Sequence, residues 1–388
     1  MSEHPALIAA WARSAVAPHG GAFATLQAHE IAAPVVLALL ARAGIPAQAV
    51  EAIVIGNALG AGGNPARMVA LAAGLPQRCA AFSVDTQCCA GLDAMSMAVG
   101  LLASGQASVV IAGGVEAWSR APIRQTRPLH AGEPALAYER PAFAPNPAQD
   151  PDLLVSAADY AAAHHLTREA QDAYAVHSHQ QALASQSDLA DEIVHIHGLH
   201  QDAYPRALTL ARAARMPVAA QATTPQHTDP DCALSTLAIS TRADGAGLVL
   251  LATPQACHQW GLTAQASWTA STSLGDDPAT PLVAAEQAAR AALRRAGLQT
   301  MAQIQVVELH DAFAVQGLSF CNALGLDPQR INRRGGGLAR GHPIGASGAI
   351  ALVRVLADLQ RDEAPGARGL AAVAGAGGLG AAVMVQRL

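Results

Sequence analysis

Short apolar runs of strand length alternate along the chain with longer stretches whose apolar residues recur at helical spacing, and glycine or proline closes most of them. Ala6–Ala12 reads as a first strand, followed by a turn at Pro18–Gly21. Ile31–Ala43 has the spacing of a helix closed by Gly44 and Pro46, and Ala52–Ile55 is a buried strand ending at Gly56-Asn57. Pro65–Ala73 is a second helix, closed by Gly74 and Pro76. Phe82–Asp85, Gly91–Ala103 and Ser108–Ala112 then read strand, helix, strand, the last running into Gly113-Gly114. Strands alternating with helices at this spacing predict a largely parallel, helix-covered sheet.

From Trp118 to about Arg242 the texture changes. Proline is frequent, Arg120, Arg124 and Arg127 fall close together, and Pro141–Pro151 is a loop rich in proline and alanine. One clear helix, Arg168–Ser185, stands in a stretch that reads as an insertion over the main sheet. The first texture then returns, with Leu248–Ala252 as strand, Pro281–Ala296 as helix closed by Gly297, and Val306–Leu309 as strand. This gives an N-terminal half over 1–117, completed by about 243–262, an inserted domain over 118–242 and a C-terminal half over 263–388. The halves repeat one another. Cys88 precedes helix Gly91–Ala103 and strand Ser108–Ala112; His342 precedes helix Ala349–Leu359 and strand Gly369–Val373, which ends in Gly375. Halves related by a pseudo-dyad would bring the two helix starts face to face, and Cys88 to His342.

Composition narrows the function. At 388 residues the chain can bury a large core. A net charge of -5 without a basic cluster argues against nucleic acid as a partner. No apolar run approaches the ~18 residues of a membrane span, and Met1–Pro5 carries no leader pattern. Six cysteines, two of them adjacent, do not form a disulfide framework and fit a reducing cytoplasm.

The stretch Gly335–Gly348 is dense in glycine and holds one histidine, His342, before the apolar run Ala349–Leu356. Glycine lets backbone approach backbone or ligand closely. A histidine near a helix start suits a base beside a thiolate or thioester oxygen. Cys88 also stands before a helix, where the dipole is expected to lower a thiol pKa, and a thiol paired with histidine is a usual nucleophile for acyl transfer.

The chain resembles the thiolases over nearly its whole length. The resemblance rests on Gly56-Asn57 with Asn64-Pro65-Ala66-Arg67, Ser83 through Cys88, Ala112 through Glu116, Glu169 through Gln180, Glu308 through Ala314, and Gly336 through Ala349. It implies a five-layered α/β/α/β/α fold of two similar halves, with 118–242 as a loop domain that receives coenzyme A. It implies acetyl-CoA acetyltransferase or 3-ketoacyl-CoA thiolase chemistry, in which Cys88 takes the acyl group and His342 its proton, and a homodimer or homotetramer. No permanently bound cofactor is implied, because the coenzyme A thioester is the substrate. His310, where most thiolases carry asparagine, resembles the sterol-carrier-protein-type enzymes and would donate to the thioester oxygen. A Cys-His-His set also resembles the decarboxylating β-ketoacyl synthases.

Two departures stand out. Thiolases usually end in Cys-x-Gly and a glycine run, whose cysteine shuttles the α-carbon proton; here Ala374 replaces the cysteine and Ala376 the glycine. The sterol-carrier-type substitute, a cysteine two residues after the histidine, is Ala312. The backbone N–H groups of Cys88 and Ala376 could still form an oxyanion hole. Around coenzyme A, the resemblance implies that Ser240 would keep the family's serine contact to pantetheine, while Met216–Pro230 matches the family poorly. Cys89 and Cys321 read as core. His195, His197 and His200 read as an exposed strand of the insertion, and His164-His165 and His177/His179 as solvated helix faces, so no metal is expected. The rival readings are a decarboxylating or hydrolytic acyl-thioester enzyme, and a non-catalytic thiolase-like subunit of a complex.

Overall fold

The computed structural model describes residues 6–223 and 230–388. Met1–Pro5 and the part of Met216–Pro230 that spans 224–229 lie outside the described residues. In chain order the main elements of the first half are β1 (Leu7–Ser14), α1 (Ala28–Ala43), β2 (Ala52–Gly56), α2 (Pro65–Ala72), β3 (Ala80–Val84), α3 (Ala90–Ala103) and β4 (Val109–Ala117). The inserted region carries α4 (Leu153–Ala163) and α5 (Arg168–Ala184). There follow β5 (Ala243–Ala252), β6 (Ala266–Gly275), α6 (Ala284–Arg295), β7 (Val306–His310), α7 (Ala314–Leu324), α8 (Ser347–Asp362), β8 (Arg368–Gly375) and β9 (Leu379–Arg387).

The strands form one path, β7-β8-β9-β6-β1-β5-β4-β2-β3. It is two similar sheets joined at a narrow seam, where β1 meets β6 only through Leu7↔Ser267 and Ile8↔Ala266. Three parallel strands in the first sheet (β3, β2, β4) and two in the second (β7, β8) are each extended by two antiparallel strands (β5 and β1, β9 and β6); this is the duplication expected, but the sheet is mixed rather than largely parallel. α1 and α2 cover the outer face of the first sheet, and α6 and α7 that of the second. α3 and α8 pack on each other between the sheets, in an apolar core containing Leu92, Met95, Leu352 and Val355. The result is five layers, α/β/α/β/α.

Several elements run further than the sequence pattern indicates. β4 continues through Gly113-Gly114, where a strand end was expected, because Gly114 lets the loop of the other half approach. A Cβ there would overlap the Gly345 carbonyl. β6 and β9 carry no strand pattern strong enough to read, since small residues such as Ser271, Ser273, Ala381 and Ala382 blur the alternation.

The inserted region is bound to the body by buried charges. Arg13 of β1 is fully buried and donates to Glu192 at 2.6 Å and to Asp202 at 2.7 and 3.0 Å. Arg354 of α8 donates to Glu192 and, at 2.6 Å, to Asp358. Removing one partner of such a cluster leaves a buried charge uncompensated, at a cost of about 3–5 kcal/mol.

Candidate active site

β3 stops at Val84 and the chain turns sharply before α3. The turn is made at Gln87, whose φ of 53° is in the left-handed region that residues other than glycine seldom adopt. Asp85 supports it by accepting from the Gln87 backbone N–H at 3.0 Å and from its side-chain amide at 3.1 Å. A single 3-10 turn, Gln87–Cys89, then feeds α3, so Cys88 stands at the helix entrance. Thr86, at 2.6 Å, and Ser273 both donate to Asp93 in the first turn of α3 and hold that entrance in place.

His342 comes from the other half. Its backbone N–H donates to the Thr241 carbonyl at 2.7 Å, while Nε2 lies 3.2 Å from Cys88 Sγ and Nδ1 2.7 Å from Ser347 Oγ. The Ser347 hydroxyl donates to the Pro343 carbonyl at 3.0 Å. A hydroxyl has one proton to give, so Ser347 accepts from Nδ1–H, and the Nε2 lone pair faces the Cys88 thiol.

Electrostatics at this pair depart from the sequence expectation. Burial pushes the Cys88 thiol up to about 12, outweighing the backbone N–H groups of Ala376 and Cys88, which favour the thiolate. The helix start therefore does not lower this thiol. Burial also pushes His342 down to about 4. Its Nδ1 partner is a hydroxyl rather than a carboxylate, so nothing stabilises an imidazolium. The resting pair is a neutral thiol and a neutral imidazole.

His310 ends β7 and is 2% exposed. Its ring stacks on His342 with centroids 4.3 Å apart and planes 26° apart. Its Nε2 is buried without a partner in the protein. Burial, with His342 and Arg340 nearby, drives this imidazole well below the usual range. Gly337 makes room for the ring: a Cβ there would lie 2.6 Å from His310 Cε1 and 2.7 Å from Nδ1. The next residue, Asp311, accepts from Tyr174 at 2.9 Å, Asn332 at 3.2 Å and the Leu338 N–H at 3.3 Å, which fixes the strand end.

Glu116 and Ser347 were not singled out from the sequence, although each lies in a stretch that carries the family resemblance. Glu116 is a lone acid in the apolar strand β4 and 1% exposed. It accepts from Asn57 Nδ2 at 2.8 Å and from the N–H groups of Ala58 (3.0 Å), Leu59 (3.2 Å) and Gly345 (3.0 Å). It thus clips the His342 loop to the first half. Burial lifts its carboxyl to about 7 despite these donors. The signal for it was an acid interrupting a buried strand; for Ser347 it was a hydroxyl five residues after the histidine.

The remaining residues fall as follows. Ala374 is half-buried at the end of β8, and Ala376 is 8% exposed in the adjoining turn. Cys89 is 1% exposed, its sulfur 3.8 Å from the Val373 carbonyl, and Cys321 is fully buried in an apolar cluster. The Ser240 hydroxyl donates to the Gly337 carbonyl at 2.6 Å, beside the His310 ring. Trp118, with Arg242 stacked 5.2 Å above it, lies 6.5 Å from His342. His179 is not on a solvated face: it is fully buried, accepts from the Arg206 N–H at 3.2 Å, and is pushed down to about 4 by burial. Among the described residues no cluster of three or more His, Cys, Asp or Glu could hold a metal ion.

A duplicated α/β fold with a cysteine of one half against a histidine of the other defines a class. Family models for "Thiolase, N-terminal domain" and "Thiolase, C-terminal domain" match residues 6–255 and 262–387. The chain belongs to the thiolase family of acyltransferases. Among its relatives, the acetyl-CoA acetyltransferase of Rhizobium meliloti (strain 1021) is 34% identical over 406 residues, covering 100% of each chain. That of Shinella zoogloeoides is 33% identical over 407 residues, covering 99% of each. The Bacillus anthracis acetyl-CoA acetyltransferase structure superposes with a TM-score of 0.88 at 26% identity over 99% of each chain. A thiolase of Ascaris suum in complex with coenzyme A gives 0.87 at 26% identity, over 99% of this chain and 100% of that one.

Proposed function

We propose that the chain transfers acyl groups from coenzyme A thioesters through a thioester on Cys88, as an acetyl-CoA acetyltransferase or 3-ketoacyl-CoA thiolase does. The observation that carries this reading is the 3.2 Å approach of His342 Nε2, lone pair forward, to Cys88 Sγ. His342 takes the thiol proton as sulfur attacks the thioester carbon, then returns it to the departing coenzyme A thiolate. General base help of this kind is worth ~10²–10⁴ in rate. The unpartnered Nε2 of His310 donates to the carbonyl oxygen of the incoming thioester. The backbone N–H groups of Cys88 and Ala376, both facing the sulfur, serve the acyl-enzyme oxygen.

Coenzyme A is the acyl carrier and no permanent cofactor is needed. The inserted region supports this with an open depression of about 590 Å³ in which Arg206, Arg212 and Arg215 stand beside the apolar Ala207, Leu208 and Met216, so that a nucleotide phosphate would find cationic partners there. Ser240, next to the His310 ring, is the candidate pantetheine contact. Replacement of the shuttling cysteine by Ala374 leaves the α-carbon step without its usual acid/base. A homodimer or homotetramer is supported by β3, a sheet edge with Phe82 46% exposed, flanked by exposed Met68, Leu71 and Met97. Buried thiols such as Cys79, Cys89 and Cys321 support a reducing, cytoplasmic setting. No helix among the described residues is long and apolar enough to cross a membrane.

Incubation with acetyl-CoA tests the reading. One equivalent of free coenzyme A per chain should appear with a mass gain of one acetyl group. Release of coenzyme A without protein acetylation, or neither, would overturn it.

A further inference from the structure

Strand β7 and the loop before α8 each carry one of the two histidines, and a buried ion pair joins these segments just upstream of both rings. Glu308 precedes His310 by two positions in β7, so the two side chains share one face of the strand. Arg340 precedes His342 by two and closes the short helix Gly337–Arg340. Glu308 is fully buried and Arg340 is 2% exposed. The guanidinium donates to Glu308 Oε2 at 3.2 Å and to the Gly335 carbonyl at 2.5 Å, which ties the helix to the strand and to the chain just ahead of it. Gly337, at the other end of this helix, is the residue that walls the His310 ring, where a Cβ would lie 2.6 Å from Cε1. The ion pair therefore holds that wall against the imidazole.

His342 does not depend on this tie. Its own N–H is held by the Thr241 carbonyl and its Nδ1 by Ser347, while Glu116 holds Gly345 further along the loop. His310 is different. No protein group bonds to its Nε2, so that atom is aimed by packing alone, by the stack on His342 and the wall at Gly337. We propose, building on the Cys88 acyl-enzyme reading, that Arg340 is a positioning residue: held by Glu308, it sets the His310 ring so that Nε2 meets the oxygen of the incoming thioester. Arg340 acts through His310 and not on the substrate. Its effect falls on charge developing at a carbonyl oxygen, not on removal of the thiol proton by His342. Misplacing such a donor by about 1 Å costs on the order of 10² in rate.

The test compares two reactions of the same thiol. Acylation by saturating acetyl-CoA puts charge on a carbonyl oxygen, whereas alkylation by iodoacetamide displaces iodide at carbon and needs no such donor. Two variants are measured, Arg340→Met and the double variant Glu308→Gln/Arg340→Met, which leaves no buried charge unpaired. Both should acylate ~10–10² times more slowly and alkylate at the wild-type rate. In a His310→Ala background the same changes should cost nothing further, because the group they aim is gone. Wild-type acylation in both variants, an equal loss with and without His310, or alkylation that changes along with acylation would overturn this inference alone. A wild type that takes up no acetyl on Cys88 would overturn the acyl-enzyme reading with it.

Discussion

The neutral state of the Cys88–His342 pair makes a sharp prediction about pH. With the thiol pushed to about 12, the thiolate fraction at pH 7 is on the order of 10⁻⁵, against a few per cent for an unperturbed thiol. The cause is burial, and the sign is that of any acid: a raised pKa means less thiolate at every pH below it. Alkylation by iodoacetamide, read at Cys88 by peptide mass, should climb about tenfold per pH unit from about pH 6 to about pH 10 with no plateau. His342→Ala should keep that slope, because an imidazole near 4 holds no proton in this range. Enzymatic acylation should respond differently, falling ~10²–10⁴-fold in His342→Ala and less in His310→Ala. A plateau in alkylation around neutral pH that disappears with His342→Ala would reveal a thiolate–imidazolium pair and refute the reasoning.

Three further outcomes follow from the same geometry. Glu116→Gln places an amide NH₂ against two of the four N–H donors, leaving about two buried donors unsatisfied at ~1–3 kcal/mol each. At pH 8 its urea midpoint should fall with the slope unchanged, and an unaltered midpoint would show that the clip is unimportant. Gly337→Ala puts a Cβ 2.6 Å from the buried His310 ring and should cost about 1–3 kcal/mol while slowing acylation, whereas wild-type acylation kinetics would show that the ring position is not critical. Ala374→Cys should raise thiolysis of acetoacetyl-CoA by ~10² or more without changing Cys88 acylation, and a wild-type chain already as fast as its variant would place the α-carbon acid/base elsewhere.

Much of the fold was legible because apolar periodicity and glycine closures coincide with element ends. Arg168–Ser185 is realised as α5 within a residue, and Ala349–Leu359 lies inside α8. What escaped was low in contrast. α4 is alanine-rich and hidden behind a proline-rich loop, although its Asp152 cap, accepting from Leu154 and Val155, was readable. The meeting of Cys88 and His342, 254 positions apart in sequence, followed from the internal repeat. The protonation state did not follow, because the sequence shows the helix start but not the depth of burial that overrides it. Likewise, Glu116 matters through N–H groups converging from two segments, which no local pattern displays.

The central claim is that Cys88 alone carries the acyl group. Peptide mass spectrometry after acetyl-CoA treatment of the wild type, Cys88→Ala and Cys89→Ala tests it most directly. The account predicts acetyl on the Cys88 peptide in the wild type and in Cys89→Ala, and none in Cys88→Ala. Acetylation that persists in Cys88→Ala and is lost in Cys89→Ala would contradict it.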